Sequence, residues 1–171
     1  MTDRTLTFPS EAFPAYPRLS MVTPEGWVAL AGVGLPLAAA REVPQGQFRP
    51  NVLVTVQRFG AGHTTADARK EVNGRFKDLP RFTETLREDG AEFLGTTGLR
   101  VEGYFSDGKG GTLVQAVRMA VLQSGAVCDV VQITGTCAGS QVEPAFGEIR
   151  AIQDSLLLLD PTGQPSAGST I

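Results

Sequence analysis

The stretch Thr112–Cys137, TLVQAVRMAVLQSGAVCDVVQITGTC, decides the fold. Two long β-prone runs flank a Ser-Gly pair, and this arrangement is typical of a β-hairpin. With a two-residue loop at Ser124-Gly125, Arg118 and Asp129 share one face of the hairpin. The other face then carries the apolar side chains of Val117, Met119, Val121 and Val130. Because this register separates charge from apolar surface, it predicts the hairpin at the heart of an antiparallel sheet.

Further strands are predicted on both sides of the hairpin. Asn51–Phe59, NVLVTVQRF, places three valines on one face and Thr55 and Gln57 on the other. In Thr97–Phe105, Leu99, Val101 and Phe105 face one way, and Arg100, Glu102 and Tyr104 the other. Residues 82–94 alternate poorly, and we expect a strand or twisted hairpin arm on the solvent side. Shorter extended runs lie at 19–22, 27–30 and 37–43.

Two helices follow from patterns of period 3.6. Thr64 and Asp67 have the spacing of a capping box, and an apolar stripe runs from Ala68 to Leu79 before Pro80 ends the helix. The second helix is predicted to begin at the capping box Ser140–Glu143, with Glu143 as the alternative cap. Its stripe is Phe146, Ile149, Ile152, Leu156 and Leu159, and Asp160-Pro161 stops it. In this phase Ile152 is buried, whereas Gln153 is expected to tolerate alanine.

The chain has 171 residues, of which 42% are hydrophobic and 19% charged, which excludes a disordered chain and a coiled coil. We therefore expect one domain of α+β class, with about six mainly antiparallel strands and helices packed on the sheet. Residues 1–17 are predicted to form an N-terminal arm, 18–160 the domain, and 161–171 a flexible C-terminal tail.

Composition also bounds the function. The net charge of −3 gives no electrostatic footprint for nucleic acid, and one histidine with two cysteines provides little material for a metal site. The apolar stretch 27–40, WVALAGVGLPLAAA, is too short to span a bilayer.

Cys128 and Cys137 would lie about 30 Å apart on one extended strand, so we expect free thiols on opposite faces. Cys137, at the strand end, is expected to be the more accessible.

No local motif carries catalysis. The loop Asp107–Thr112, DGKGGT, lacks the spacing of a phosphate loop and precedes a strand, which favours a hairpin turn. The loop Gly60–Thr65 offers backbone N–H groups at a helix start but matches no fingerprint. The acidic cluster Glu84, Glu88, Asp89 and Glu92 is interpreted as a solvated face, with docking of a basic partner as the alternative. Four residues remain as candidate binding residues for a pocket or interface: Trp27, Phe48, His63 and Tyr104.

Several short motifs resemble the PsbP-like α/β/α-sandwich superfamily. Pro24-Glu25-Gly26-Trp27 is similar to its "P-x-G-W", and residues 48–54, FRPNVLV, to its "F-x-P-N-V-x-V" strand. Residues 146–156 resemble its closing helix. Within that group the chain is most similar to the LpqN/LpqT-like lipoproteins of actinobacteria, over roughly residues 18–160. The resemblance implies an antiparallel sheet with helices on both sides and carries no catalytic residues.

These observations lead to two hypotheses. The first is a non-catalytic binding or adaptor protein linked to secretion or protein handling, with a protein partner and no cofactor, metal, nucleic acid or membrane insertion. The second is a small-ligand-binding protein with a pocket between sheet and helix. We expect a monomer or homodimer. Because a signal peptide and lipobox cysteine are not recognised, we expect a cytoplasmic location, with export by a route without a cleaved signal peptide as the alternative.

Overall fold

A seven-stranded antiparallel sheet organises the molecule, in the computed structural model that describes residues 3–167. The strand order is β2-β3-β4-β10-β9-β8-β5. The α+β class is thus confirmed, with seven strands in the main sheet rather than about six. The strands of this sheet are β2 (Trp27–Ala29), β3 (Leu37–Arg41), β4 (Asn51–Gly60), β5 (Thr83–Glu88), β8 (Leu99–Ser106), β9 (Thr112–Ser124) and β10 (Val127–Ala138). Two small sheets pair β1 (Arg18–Ser20) with β11 (Leu157–Leu159), and β6 (Glu92–Phe93) with β7 (Thr96–Thr97).

One helix covers each face of the sheet. Helix α1 (Thr65–Asp78) packs on one face through Ala68, Val72 and Phe76. Helix α2 (Val142–Asp154) packs on the opposite face through Phe146, Ile149 and Ile152. Period-2 strands bury residues on both faces, which gives the molecule two separate apolar cores. These are called the α1 face and the α2 face below.

The central hairpin has the predicted faces but not the predicted loop. Val127 pairs with Ser124, so the loop is Gly125-Ala126, one residue later than the sequence indicated. Arg118 and Asp129 do share the α2 face, yet they bind different partners. Asp129 forms an ion pair with Arg58 of β4, and Arg118 forms one with Asp154 of α2. The apolar face of Val117, Met119, Val121 and Val130 lies under α1.

Helix α1 begins as predicted, α2 begins as the alternative cap implied, and the end of α2 differs from the prediction. Asp67 N donates to Thr64 Oγ1 at 3.2 Å, and Thr64 N donates to Asp67 Oδ2 at 2.9 Å. Ser140 caps nothing, and Glu143 has extended backbone angles, so regular helix starts after it, as the alternative cap implied. The end at Asp160 is wrong because Leu157–Leu159 pairs with β1, a partner far away in sequence that the periodicity does not reveal.

Gln153 overturns the expectation that it would tolerate truncation. Its side chain is 1% exposed. Nε2 donates to Ala116 O at 2.9 Å and to Ile133 O at 3.4 Å, while Oε1 has no partner among the described residues. Gln153 thus joins the end of α2 to β9 and β10 through their backbone carbonyls.

Both cysteines are free and lie on opposite faces, as predicted. The expected difference in accessibility is wrong, since both thiols are fully buried. Cys128 Sγ donates to His63 O at 3.4 Å on the α1 face. Cys137 lies in the core under α2, and burial raises the pKa of its thiol to about 11. The strand end does not fray because the 3-10 helix Gly139–Gln141 and α2 continue directly from it.

The N-terminal arm is fastened to the sheet by Arg58. Its guanidinium binds Asp129 in a bidentate pair with both distances 2.7 Å, and donates to the carbonyls of Pro14 and Ala15. The Tyr16 ring lies 4.0 Å from the guanidinium carbon, in cation–π geometry. Residues 161–166 turn back so that Ser166 N donates to Leu158 O, whereas residues 1–2 of the predicted arm and 168–171 of the predicted tail lie outside the described residues.

Candidate functional site

The two faces of the sheet are covered to different extents. On the α2 face, one row across four strands, Ala116, Gly135, Val52 and Ala39, is entirely buried. That face is covered by α2 together with Phe93, Leu94 and the β1–β11 ribbon. Gly135 has no side chain because α2 packs so closely there that a Cβ would overlap Ile149 Cγ2.

On the α1 face, burial stops halfway across the sheet. In the row Leu99, Met119, Gln132 and Thr55, the first two side chains are fully buried, Gln132 is half-buried and Thr55 is exposed. In the next row, Val101 and Val117 are buried, whereas Thr134 and Leu53 are half-buried. Helix α1 and its loop therefore cover β8, β9 and the start of β10, while Gln132 and Thr134 of β10 and the exposed Thr55 and Gln57 of β4 form an open polar face beside it.

A groove lies along the boundary between α1 and this open face, and we call it the α1 groove. It contains a cavity of about 220 Å³. Its helix wall is Val72, Arg75, Phe76 and Leu79, and its floor is Gln115, Val117, Gln132 and Thr134. The groove thus combines a short apolar slot with a floor of amide and hydroxyl groups.

Hydrogen bonds order the polar floor. Arg75 Nη2 donates to Gln132 Oε1 at 2.6 Å, and Gln132 Nε2 donates to Thr134 Oγ1 at 2.8 Å. Gln115 Nε2 donates to Thr136 Oγ1 at 3.2 Å. Arg75 is exposed, and its remaining guanidinium N–H groups have no hydrogen-bond or ion-pair partner among residues 3–167. Within the part of the chain that the structure describes, it is the one charged residue lining the cavity.

The four candidate binding residues lie at four separate places. Trp27 is 7% exposed in the core under α2, and its Nε1 donates to Glu148 Oε2 at 2.9 Å. Tyr104 is exposed near the end of β8. Phe48 lies in the loop between β3 and β4, and His63 in the loop before α1. The structure therefore does not bring these four side chains into one site.

Phe48 lines an open cavity of about 560 Å³ at one end of the sheet. The DGKGGT loop forms the opposite side, through Asp107, Lys109 and Gly111. Asp107 Oδ1 accepts the backbone N–H groups of Lys109 and Gly111 at 2.7 and 2.8 Å, and these hydrogen bonds lower its pKa. The loop is the predicted hairpin turn, and its own carboxylate occupies those two N–H groups.

His63 is held mainly by packing. Its ring stacks on Phe59 with centroids 3.8 Å apart, and Nε2 lies 3.9 Å from the Glu71 carboxylate. The Cys128 thiol contacts the backbone carbonyl of His63 and not its ring. Across residues 3–167, no three His, Cys, Asp or Glu side chains are grouped as metal ligands would be.

Most of the acidic cluster is already paired. Arg87 binds Glu84 and Asp89, and Arg100 Nη1 lies 3.7 Å from Glu88. These contacts fit the solvated face that the sequence indicated and add ion pairs to it. A basic partner would have to displace the arginines, which weakens the docking alternative.

A buried charge cluster lies between β8 and α2. Glu102 is 2% exposed and accepts from Arg100 Nη2 at 2.9 Å and from both Nε and Nη2 of Arg150. Burial opposes ionisation of Glu102, but the hydrogen bonds and positive charge of the two arginines outweigh it, so the pKa of Glu102 lies below its ordinary value. This cluster fastens α2 to the sheet and is not open to a ligand.

The architecture defines a class: one antiparallel sheet sandwiched between two helices. A solved structure with this fold is that of LpqN, a Mycobacterium tuberculosis protein involved in cell envelope biogenesis. The two superpose with a TM-score of 0.72 over 85% of each chain at 16% identity. The expected likeness to LpqN is therefore confirmed at the level of the fold. No family model and no curated protein matches the chain in sequence.

The helices within residues 3–167 are each too short or too polar to cross a membrane.

A sequence pattern indicates the α1 groove, although none of the four candidate binding residues belongs to it. Thr55 and Gln57 share the face opposite the valines of β4. On β10, Gln132, Thr134 and Thr136 alternate with residues of the α2 face. Two adjacent strands with polar residues on the same face indicate a half-open sheet.

Proposed function

We propose that this chain is a non-catalytic binding protein whose binding surface is the α1 groove with the open face of β10 and β4. The observation that carries the proposal is the asymmetry of the sheet. The α2 face is covered by helix α2, Phe93 and Leu94, the β1–β11 ribbon and paired charges, whereas the covering of the α1 face ends beside a cavity with an exposed cation. An uncovered half-face next to a preformed groove is the arrangement that partner proteins and ligands use.

The shape of the cavity favours a protein partner over a small ligand. Pockets for drug-sized molecules are usually about 300–1,000 Å³ and largely enclosed. The α1 groove holds about 220 Å³ and opens onto a flat polar strip, so a small molecule would remain mostly exposed. The likeness to LpqN, a protein involved in cell envelope biogenesis, supports a role connected with the cell envelope and an exported location in place of the expected cytoplasmic one. The secretion-linked adaptor role is part of the same proposal.

Affinity purification of the tagged full chain from the organism that encodes it, with quantitative mass spectrometry, tests the proposal. Thr55→Trp places a bulky side chain on the open face, while Ala151→Trp adds the same bulk on the exposed surface of α2. A partner recovered with wild type and Ala151→Trp but lost with Thr55→Trp supports the proposal. Equal recovery with both variants contradicts it. Native mass spectrometry of the purified protein tests the small-ligand alternative, which predicts a bound mass that Thr55→Trp removes.

A further inference from the structure

We infer that the α1 groove recognises an extended peptide segment that carries one large apolar side chain next to an acidic residue. This inference rests on the proposed function and names the chemical class of the partner. Three features of the groove carry it: a short apolar slot, a floor of amide and hydroxyl groups, and one free cation.

The slot is sized for a single side chain. Val72 and Phe76 of α1, and Leu79 directly after it, line the slot with Val117, and the apolar lining ends there because the next strand presents Thr134 and Gln132. A lipid chain would need the apolar lining to continue past Val117. A peptide needs only one such slot, which then takes its anchor residue.

The floor matches a peptide backbone. An extended segment presents alternating N–H and C=O groups that must find partners on binding. Gln115, Gln132 and Thr134 offer both donors and acceptors on two adjacent strands, and Thr55 extends this surface onto a third. Such side chains satisfy backbone groups of either kind, which a floor of charged residues would not do.

The charge complementarity selects an acidic residue. Arg75 is anchored through one hydrogen bond to Gln132, which leaves its other N–H groups exposed at the mouth of the slot. No carboxylate lines this cavity among residues 3–167, and Glu71 and Asp78 of the same helix are not within ion-pairing distance of Arg75. A carboxylate next to the anchor residue would therefore meet an unopposed guanidinium, for which bidentate pairing is the preferred geometry.

A display library of random twelve-residue peptides, selected on the full chain, tests this inference. The enriched peptides are expected to share a large apolar residue within about two positions of Asp or Glu. Their binding is then measured by fluorescence anisotropy. Changing the acidic residue to its amide, or the apolar anchor to alanine, is expected to weaken binding about tenfold or more.

A matched pair of protein variants locates the contact. Arg75→Gln and Lys77→Gln each remove one positive charge from exposed positions of α1, but Lys77 lines the cavity on the other side of the helix, towards β5. We expect Arg75→Gln to weaken the acidic peptides about tenfold and Lys77→Gln to leave them within about twofold. For the Arg75→Gln variant, changing the acidic residue of the peptide to its amide should not weaken binding further.

Three results would overturn the inference: no enriched peptide, enrichment without an acidic residue, or equal loss from Arg75→Gln and Lys77→Gln. If Thr55→Trp abolishes partner recovery but the peptide experiments give one of these results, the groove binds a different ligand and the proposed function stands. If Thr55→Trp has no effect on partner recovery, both fail together. If free phosphate or a fatty acid competes with the labelled peptide as strongly as an unlabelled acidic peptide does, the natural ligand is a small anion and not a peptide.

Discussion

Replacing Gln153 with alanine tests how α2 is joined to the sheet. The change deletes four buried heavy atoms and both hydrogen bonds to the carbonyls of Ala116 and Ile133. Truncating a buried side chain of this size typically costs about 2–5 kcal/mol, and each lost hydrogen bond contributes about 1 kcal/mol. Loss of the unpartnered Oε1 offsets part of this cost. We therefore expect a decrease of about 2–4 kcal/mol in the free energy of unfolding.

Urea denaturation and thermal melting measure this effect. The melting temperature of Gln153→Ala should fall by roughly 5–15 °C, similar to that of Ile152→Ala. Gln57→Ala removes the same side chain from an exposed position on β4 and should stay within about 0.5 kcal/mol of wild type. Gln153→Met keeps the volume and should lose about 1 kcal/mol. Wild-type stability of Gln153→Ala, with Ile152→Ala destabilised, would refute the buried position of Gln153.

Three further predictions concern packing, pH and thiols. Gly135→Ala should lower the free energy of unfolding by about 1–3 kcal/mol because its methyl group meets Ile149. If the double variant Gly135→Ala/Ile149→Ala is no less stable than Ile149→Ala alone, that contact is confirmed. A Gly135→Ala variant as stable as wild type would exclude it. The folded pKa of Glu102 lies below the unfolded value of about 4.3, so its stabilisation is present above that pH and is lost as the pH falls through the folded pKa. Glu102→Gln should therefore cost about 2–3 kcal/mol at pH 7 in chemical denaturation and less in acid, and a pH-independent difference would contradict this. In thiol titration, native protein should label slowly at both cysteines, with Cys137 the slower, and rapid labelling of either would contradict their burial.

Local signals predicted much of the fold. The Thr64–Asp67 capping box fixed the start of α1, and the alternation of the central hairpin fixed which residues face each helix. These features depend on residues a few positions apart, where propensity and periodicity act directly. The hairpin loop was displaced by one residue because either position keeps the same faces.

The spacing of apolar residues along the sequence does not predict contacts between distant segments. Leu157–Leu159 continues the helical spacing of α2, yet it leaves the helix to pair with Arg18–Ser20. Gln153 is polar, and its burial depends on backbone carbonyls of two strands that only the docked helix reaches. In the same way, the groove beside Arg75 exists only once α1 is docked across half of a sheet face, so its residues have no common motif in sequence.

Site-specific photo-crosslinking in the organism that encodes the chain tests the binding surface most directly. A photoreactive phenylalanine derivative is placed at Gln57, exposed beside Thr55 on the same face of β4, or at Ala151 on the exposed surface of α2 as the control. The account predicts a light-dependent protein adduct from position 57 that is absent from position 151 and decreases when Arg75→Gln is added. Adducts only from position 151, or none from position 57, would contradict the assignment of the α1 groove as the binding surface.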